Sequence, residues 1–463
     1  MFKSKYLITE LVLFNLMVVT AMAQTSGRLK ISANKRYFTT AAGKPFFWLG
    51  DTGWLLFSKM NREDAETYLE NRRKLGFNVI QVMGVHSVGA VNIYGDSALV
   101  NRNVGSPKLT PGSSFDDKDA YDFWDHVDYV VDLAAKKGIY IAIVPVWGGN
   151  VKKKAVNVTN AKAYAKFLAE RYKSRPNIIW MNGGDVKGSD FIDVWKTIGS
   201  TLHQHDPGRL ITYHPFGRTQ SSKWFHNEPW LYFNTFQSGH RDYVQDTAKN
   251  DLNYGEDSWR YVQADYARKP AKPVLDAEPS YEDIPHGLHD TLQPRWQADD
   301  LRRYAYWSVF AGASGFTYGN NAVMQMRKSD EKGGAYGAKV SWQQAILHPG
   351  AAQMQYMKKL MLSRPYLERV PDKSLIAQGQ GEKYNRLLAT RGNKYAFIYS
   401  YNGRNMVINA TKLQGSKIKA SWYNPRNGEV TLINTFAKGS AMKFDPPGEV
   451  KDGNDWILVL DAI

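Results

Sequence analysis

The chain has 463 residues, which predicts either two domains or one large barrel with a small appendage. It contains no cysteine, and this excludes disulfides, thiolate nucleophiles, iron–sulfur clusters and zinc sites with cysteine ligands. The formal net charge is +16, but the lysines and arginines are scattered, which favours a role in solubility over a nucleic-acid groove and leaves attraction of a polyanion as the alternative.

The N-terminal segment has the parts of a secretory signal peptide. Lys3 and Lys5 form a short basic region, residues 11–19 are mostly apolar, and residues 21–23 (Ala-Met-Ala) form a cleavage site. The apolar stretch is too short to span a bilayer, and no later stretch reaches about 18 apolar residues. We therefore expect residues 1–23 to be removed and the mature protein to be exported to the periplasm or secreted, without membrane insertion.

From residue 46 to about residue 365, short apolar runs alternate with amphipathic helical patterns. Such runs are typical of strands that are buried on both faces. The predicted strands are 46–51, 77–82, 139–144, 178–182, 210–214, 231–235, 273–278 and 315–319. The predicted helices are 63–75, 123–137, 161–172, 191–205 and 298–311. This α/β pattern predicts a (β/α)8 TIM barrel; an open doubly wound sheet is the alternative, but its glycine-rich phosphate turn is missing after the first strand.

The pattern changes after Pro365, where short β-type runs follow one another. These runs are 374–376, 387–389, 395–401, 406–408, 418–422, 429–433 and 456–460. They predict a small all-β sandwich domain at residues 369–463, after a barrel at residues 24–368. Because no Gly/Ser-rich or Pro-rich spacer separates the two parts, we expect the small domain to pack on the barrel as a brace rather than to bind sugar or collagen.

Two carboxylates follow predicted barrel strands at the ends where barrel enzymes carry their active sites. Asp185 follows the fourth strand and Glu278 ends the seventh. Strict alternation would send Asn182 and Asp185 to opposite faces, but the two intervening glycines permit a bulge, so that both side chains could reach the barrel mouth. Facing carboxylates suit glycoside hydrolysis, in which one protonates the leaving oxygen while the other attacks the anomeric carbon or activates water. In the alternative interpretation, Asp185 caps a helix and Glu278 pairs with an arginine.

Other predicted strand ends carry polar or aromatic groups that suit contacts with sugar hydroxyls and stacking on sugar rings. These candidate substrate-binding residues are Asp51, Trp54, His86, Trp147, Asn182, His214, Asn234, Gln237 and Tyr318. Asp51 and Asp276 are also rival acids for the catalytic pair, and Asp51 could equally cap a helix. Taken singly, each of these residues could serve a structural role instead.

Other chemistries fit the sequence less well. The Gly-x-Ser-x-Gly elbow, the Walker loop and the His-Glu-x-x-His zinc motif are all missing. His203 and His205 face opposite sides of a predicted helix, while His286 and His289 have helix-compatible spacing but lie in a loop. We therefore expect no metal and no cofactor.

Several segments together resemble a known family. They are residues 47–54 (FWLGDTGW), 75–81 (LGFNVIQ), 182–185 (NGGD), 276–282 (DAEPSYE), 315–319 (GFTYG), 363–366 (SRPY), 422–426 (WYNPR) and 455–460 (DWILVL). Over nearly the whole mature chain, the sequence resembles exported barrel proteins once described as collagenases with a collagen-binding domain and now grouped as glycoside hydrolase family 140, the apiosidases.

The resemblance implies a (β/α)8 barrel with a C-terminal sandwich, an acid/base at Asp185 and a nucleophile at Glu278. It implies apiose-linked side chains of the pectin rhamnogalacturonan II as the substrate, and it makes the collagen description a relic. For these roles we expect a raised pKa for Asp185, an ionised Glu278 and, in a retaining enzyme, carboxyl groups about 5–5.5 Å apart. We expect a monomer with an oligosaccharide or polysaccharide substrate and no nucleic-acid partner. The alternatives are a non-catalytic sugar- or collagen-binding surface protein and a metal-dependent hydrolase.

Overall fold

A small antiparallel sheet begins the computed structural model, which describes residues 27–247 and 254–463; the predicted signal peptide lies outside the described residues. Its strands are β1 (Lys30–Ile31), β2 (Phe38–Thr39) and β3 (Pro45–Phe46). The ring of Phe38 packs on Trp48 and Phe233, with ring centroids 5.7 and 5.1 Å away. Because both partners lie at the start of barrel strands, this sheet closes the amino-terminal end of the barrel.

Eight parallel strands form the central sheet. They are β4 (Trp48–Thr52), β5 (Val79–Val85), β6 (Tyr140–Val146), β7 (Ile178–Val186), β8 (Ile211–Pro215), β9 (Asn234–Phe236), β10 (Val274–Asp276) and β11 (Gly315–Tyr318). Their order is β8-β7-β6-β5-β4-β11-β10-β9. Hydrogen bonds from the backbone N–H of Tyr232 to Ile211 (2.9 Å) and from the hydroxyl of Thr212 to the carbonyl of Phe233 (2.7 Å) bring β9 beside β8. The predicted (β/α)8 barrel is confirmed, with each predicted strand in place.

Helices surround the barrel and fill its connections. They are α1 (Leu56–Lys59), α2 (Arg62–Lys74), α3 (Phe123–Lys136), α4 (Gly148–Lys152), α5 (Val158–Tyr172), α6 (Ile192–His205), α7 (Ser222–Phe225), α8 (Ser258–Tyr266), α9 (Ala298–Phe310), α10 (Asn321–Met324), α11 (Trp342–Ala345) and α12 (Pro349–Leu362). Local signals fix their ends: Asp122 begins α3 with a capping box, and Gly138 follows the helix at a φ of 74°. None of the described helices is long and apolar enough to cross a membrane.

The C-terminal part is built from antiparallel strands in two sheets. The strands are β12 (Val370–Pro371), β13 (Ile376–Gln378), β14 (Leu387–Arg391), β15 (Tyr395–Ser400), β16 (Met406–Ile408), β17 (Lys417–Tyr423), β18 (Val430–Ala437), β19 (Met442–Phe444) and β20 (Trp456–Ala462). The larger sheet has the order β12-β14-β15-β20-β17-β18, and the smaller has the order β13-β16-β19. One buried apolar cluster contains residues of both sheets, as in a sandwich, so the predicted all-β fold is confirmed.

The C-terminal sandwich packs directly on helix α9 of the barrel. The rings of Tyr306 and Tyr399 stack with centroids 4.9 Å apart, and both side chains are fully buried. Arg302 of α9 donates two 2.9 Å hydrogen bonds to the buried carboxylate of Asp455, one from Nε and one from Nη2. The sandwich is therefore joined to the barrel by buried apolar and ionic contacts; its function as a brace stays a prediction.

Candidate active site

A cavity of about 410 Å³ opens at the carboxyl ends of the barrel strands. Trp54 follows β4, Trp147 follows β6, Gln237 follows β9 and Glu278 follows β10, and all four side chains line it. Asp185 lines the same cavity from the end of β7. The cavity therefore gathers residues that are far apart in the sequence, because parallel strands bring their carboxyl ends to one edge.

A bulge at the end of β7 turns Asp185 into the cavity. Gly183 and Gly184 have φ values of 98° and 106°, Asp185 itself has a φ of 52°, and the register with β8 shifts across this segment. A Cβ at Gly183 would lie 2.5 Å from the carbonyl oxygen of His214, so only glycine fits. The side chain of Gln237 donates a 3.1 Å hydrogen bond to Oδ1 of Asp185, which orients the carboxyl group.

Two histidines hold the carboxylate of Glu278 from different sides. Nε2 of His214, at the end of β8, lies 3.1 Å from Oε2, and Nε2 of His240, in the loop after β9, lies 3.2 Å from Oε1. Glu278 is only 6% exposed. Both carboxylate oxygens therefore have a nitrogen partner, while the group remains at the wall of the cavity.

The surroundings push the two carboxyl groups towards opposite protonation states. Removal from bulk water, reinforced by the negative charge of Glu278, raises the pKa of Asp185 to about 6. Burial also disfavours ionisation of Glu278, but the contacts with His214 and His240 outweigh burial and lower the pKa of Glu278 to about 2. Near neutral pH one carboxyl can therefore donate a proton while the other is an anion.

One ligand atom from each of Asp185, His214 and Glu278 lies within 4.8 Å of the other two. Two carboxylates and an imidazole at such distances could also hold a metal ion. The same closeness suits acid and nucleophile roles on one glycosidic bond. The site geometry thus allows a metal-free and a metal-assisted chemistry, and chelation distinguishes them.

Aromatic side chains form the wall beside the carboxyl pair. The rings of Trp54 and Trp147 lie 5.4 Å apart, and Trp54 also contacts the ring of His214 edge-on at 5.3 Å. Tyr281 and Tyr336 also line the cavity, although the sequence did not identify them as candidate site residues. Flat apolar faces next to carboxylates suit a sugar ring, which stacks through its C–H groups while its hydroxyls find polar partners.

Two predicted substrate-binding residues lie away from the cavity because buried partners hold them. Asp51 is fully buried and accepts hydrogen bonds from the hydroxyl of Tyr68 (2.6 Å) and from Nε of Arg72 (2.5 Å). Tyr318 is fully buried and donates its hydroxyl to the carboxylate of Glu282. Neither side chain lines the cavity, so the structure does not bring them to the carboxyl pair.

Three further predicted residues also point elsewhere. The side chain of Asn182 donates a 2.7 Å hydrogen bond to the carbonyl of Trp195 in α6, so Asp185 reaches the barrel mouth and Asn182 does not. His86 contacts the hydroxyl of Ser58 at 3.1 Å, and Asn234 contacts His226 at 3.2 Å. None of the three lines the cavity.

The rival acid Asp276 lies inside the barrel wall. It accepts a 2.8 Å hydrogen bond from the hydroxyl of Ser238 and a 3.4 Å one from Ser308. Burial raises the pKa of Asp276 to about 7. The side chain of Asp276 does not line the cavity, whereas that of Asp185 does.

His240 is the main site residue that the sequence did not reveal. It lies four residues beyond the end of the three-residue strand β9, so strand-end reasoning stopped at Gln237. The Ser-Gly-His sequence at residues 238–240 is the available signal, since a glycine (φ 85° at Gly239) often turns a loop back towards a site.

Comparisons with known proteins agree with this geometry. A family model described as "Apiosidase-like, catalytic domain" matches residues 32–368, and one described as "Putative collagen-binding domain of a collagenase" matches residues 370–461. No curated protein matches the chain.

Solved structures of high similarity cover both parts of the chain. One described as a glycoside hydrolase is 47% identical over 94% of this chain and 97% of that chain, with a TM-score of 0.88. Another, described as a glycoside hydrolase family 5 protein from Bacteroides vulgatus ATCC 8482, is 44% identical over 94% of each chain, with a TM-score of 0.89.

Proposed function

The chain belongs to the apiosidase-like glycoside hydrolases, and from that premise we propose that it is an exported, retaining enzyme that cleaves apiose-containing linkages in rhamnogalacturonan II side chains of pectin. The observation that carries the proposal is the pair of carboxyls at one cavity, Asp185 with a raised pKa and Glu278 with a lowered one. This is the division of labour that glycosidic bond cleavage requires.

In the first step of the proposed reaction, a carboxylate oxygen of Glu278 attacks the anomeric carbon. The glycosidic C–O bond breaks, and the leaving oxygen takes the proton of Asp185. In the second step, Asp185 takes a proton from water, the water oxygen attacks the anomeric carbon, and Glu278 leaves as the carboxylate. The contacts of His214 and His240 stabilise Glu278 as an anion before and after the cycle.

The short distance across the site supports the retaining outcome. An oxygen of Asp185 lies within 4.8 Å of an oxygen of Glu278. An inverting enzyme needs a gap of about 6.5–9.5 Å to admit a water between its carboxyl groups. At this distance from Asp185, Glu278 is close enough to attack the anomeric carbon directly, without an intervening water.

The family match supports apiose-containing pectin as the proposed substrate, and the N-terminal sequence supports the proposed export. The family description names apiosidase-like proteins, and the aromatic wall of Trp54 and Trp147 supplies a surface for a sugar ring. The signal-peptide pattern of residues 1–23 supports export. We do not infer collagen binding from the description of the second family match, and the proposed activity does not involve collagen.

Product analysis tests this function. We expect purified protein to release an apiose-terminated product from rhamnogalacturonan II oligosaccharides, with retained anomeric configuration in the first NMR spectra after mixing. Polygalacturonate without apiose serves as the control substrate and should stay intact. We expect the rate to survive EDTA; loss of activity on chelation and its return with a divalent metal would instead support a metal-dependent hydrolase.

Changing Asp185 to asparagine tests the proton donor. The wild-type rate should fall as pH rises through about 6, because Asp185 then loses the proton that it must donate. In Asp185→Asn this alkaline limb should disappear, and the rate on the natural substrate should fall by about 10²–10⁴-fold. The measurement is kcat/KM against pH for both proteins. A limb that stays in place in the variant would assign the acid to another group.

An aryl glycoside of apiose provides the control for that variant. Its phenolate leaving group needs little protonation, so Asp185→Asn should form the glycosyl-enzyme from it at a rate close to wild type. An equal loss of the first step on both substrates would contradict the role of Asp185 as the acid.

A further inference from the structure

The loop between β9 and α8 carries the side chains that contact both proposed catalytic carboxyls. We call the described residues 237–247 and 254–257 the active-site loop. Gln237 donates to Asp185, and His240 lies 3.2 Å from Glu278. The placement of this loop therefore decides how firmly the carboxyls are held.

A buried carboxylate near the end of the loop connects it to the C-terminal sandwich. Oε1 of Glu256 accepts a 3.1 Å hydrogen bond from the backbone N–H of Tyr243, in the same loop. It also accepts a 2.8 Å hydrogen bond from the hydroxyl of Tyr384, which lies in the sandwich just before β14. One carboxylate oxygen thus joins the active-site loop to the second domain.

The charge of Glu256 is already balanced within the barrel. Its Oε2 lies 2.6 Å from Nη2 of Arg303 in α9, and both side chains are fully buried. The hydroxyl of Tyr384 is therefore not needed to neutralise the carboxylate. Its contribution is to fix the direction of Oε1, the oxygen that receives the N–H of Tyr243.

Ring contacts reinforce the same connection. The ring of Tyr384 packs against that of Tyr243 with centroids 5.5 Å apart and planes at 61°, and the ammonium of Lys383 lies 5.0 Å from the centre of the Tyr243 ring. Tyr243 is three residues after His240 in the chain. Tyr243 and the imidazole that contacts Glu278 therefore lie in one short, continuous stretch of the loop.

We propose that the C-terminal sandwich takes part in catalysis through Tyr384, a positioning residue that holds His240 against Glu278 by way of Glu256 and Tyr243. The proposal rests on the proposed role of Glu278 as the nucleophile. It gives the second domain a contribution to rate that is separate from its contribution to stability.

The expected signature is a change in the acidic side of the pH–rate profile. The titratable groups that surround Glu278 are Asp185 from β7, His214 from β8, His240 from the active-site loop, and Tyr281 and Tyr336 from the loops after β10 and β11. If the contact from His240 loosens, Glu278 loses one of the two histidine contacts that oppose the effect of burial. The pKa of Glu278 then rises, and the acidic limb moves to higher pH, while the alkaline limb of Asp185 stays.

The test compares Tyr384→Phe with Tyr401→Phe. Tyr401 lies at the same interface, and its hydroxyl donates a 2.9 Å hydrogen bond to Asp299 at the start of α9. Among the described residues, this hydroxyl has no hydrogen bond to the active-site loop. In Tyr384→Phe we expect kcat to fall by about 10- to 100-fold with little change in KM, together with the shifted acidic limb. In Tyr401→Phe we expect a similar change in melting temperature, but a wild-type kcat and acidic limb.

A second measurement does not depend on turnover. In protein labelled with ¹⁵N-histidine, the ring resonances of His240, assigned with His240→Gln, should shift in Tyr384→Phe and not in Tyr401→Phe. Unchanged resonances with an unchanged acidic limb in Tyr384→Phe, or equal effects in both variants, would overturn the proposal. Full turnover by Glu278→Gln would instead remove the proposed nucleophile, and the resonances of His240 would still report on the connection to Tyr384.

Discussion

Replacing Glu278 by glutamine is expected to lower kcat by about 10⁴-fold or more, the largest effect of any single change in this protein. The amide keeps the size of the side chain but cannot form the ester with the anomeric carbon. Turnover of a rhamnogalacturonan II oligosaccharide and of an aryl glycoside of apiose measures the loss. Both substrates should be affected, because a good leaving group does not replace a nucleophile.

Glu282→Gln is the matched control for that change. Glu282 is also a buried glutamate on the same segment, but its carboxylate accepts from the hydroxyl of Tyr318 and from the backbone N–H of Gly350 (3.0 Å), and it does not line the cavity. We expect this variant to lose stability and to keep most of its kcat at a temperature where it is folded. Near wild-type turnover in Glu278→Gln would assign the nucleophile elsewhere.

Deleting residues 369–463 is expected to leave a barrel that is insoluble or unfolds well below the temperature of the intact protein. The deletion exposes the rings of Tyr306 and Phe310, both fully buried, and leaves the guanidinium of Arg302 without its carboxylate. Apolar rings lose the free energy of their burial when they are exposed to water, and this destabilises the barrel. Soluble yield and thermal unfolding of residues 24–368 measure the effect.

Substitutions at two aspartates of the interface compare the stability contributed by a buried ion pair with that of a partly exposed one. Asp455→Ala removes the carboxylate from a fully buried pair with Arg302 and should cost about 3–5 kcal/mol of unfolding free energy. Asp461→Ala removes a partly exposed pair with Arg364 and should cost no more than about 1 kcal/mol. A truncated barrel that is stable and active, beside an isolated sandwich that binds pectin or collagen, would contradict the role as a brace.

The barrel was predictable from the sequence because its strands are buried on both faces and so form continuous apolar runs. Even the three-residue strands β9 and β10 stood out, since they lie within longer apolar segments. The N-terminal sheet and β12 were not predicted, because their strands have only two residues each and carry no periodicity.

The site was predictable only where its residues directly follow strands. Asp185 and Glu278 lie at strand ends, and the structure turns both into the cavity. Asp51 also lies near the end of a strand, but Arg72 of α2 holds it inside the protein. No local pattern in the sequence tells which arginine will reach which carboxylate. His240 depends on the path of a loop, which the sequence does not specify.

The left-handed backbone conformation of Asp185 lowers the stability of the fold at the residue that we propose as the proton donor. A non-glycine residue at a φ of 52° costs about 1–2 kcal/mol relative to a relaxed conformation, although aspartate tolerates it better than most. Glycine there would relieve the strain and remove a carboxyl from a site that disfavours its charge. Selection for thermal tolerance alone would therefore favour loss of this aspartate, and selection for turnover would retain it if Asp185 is the proposed proton donor.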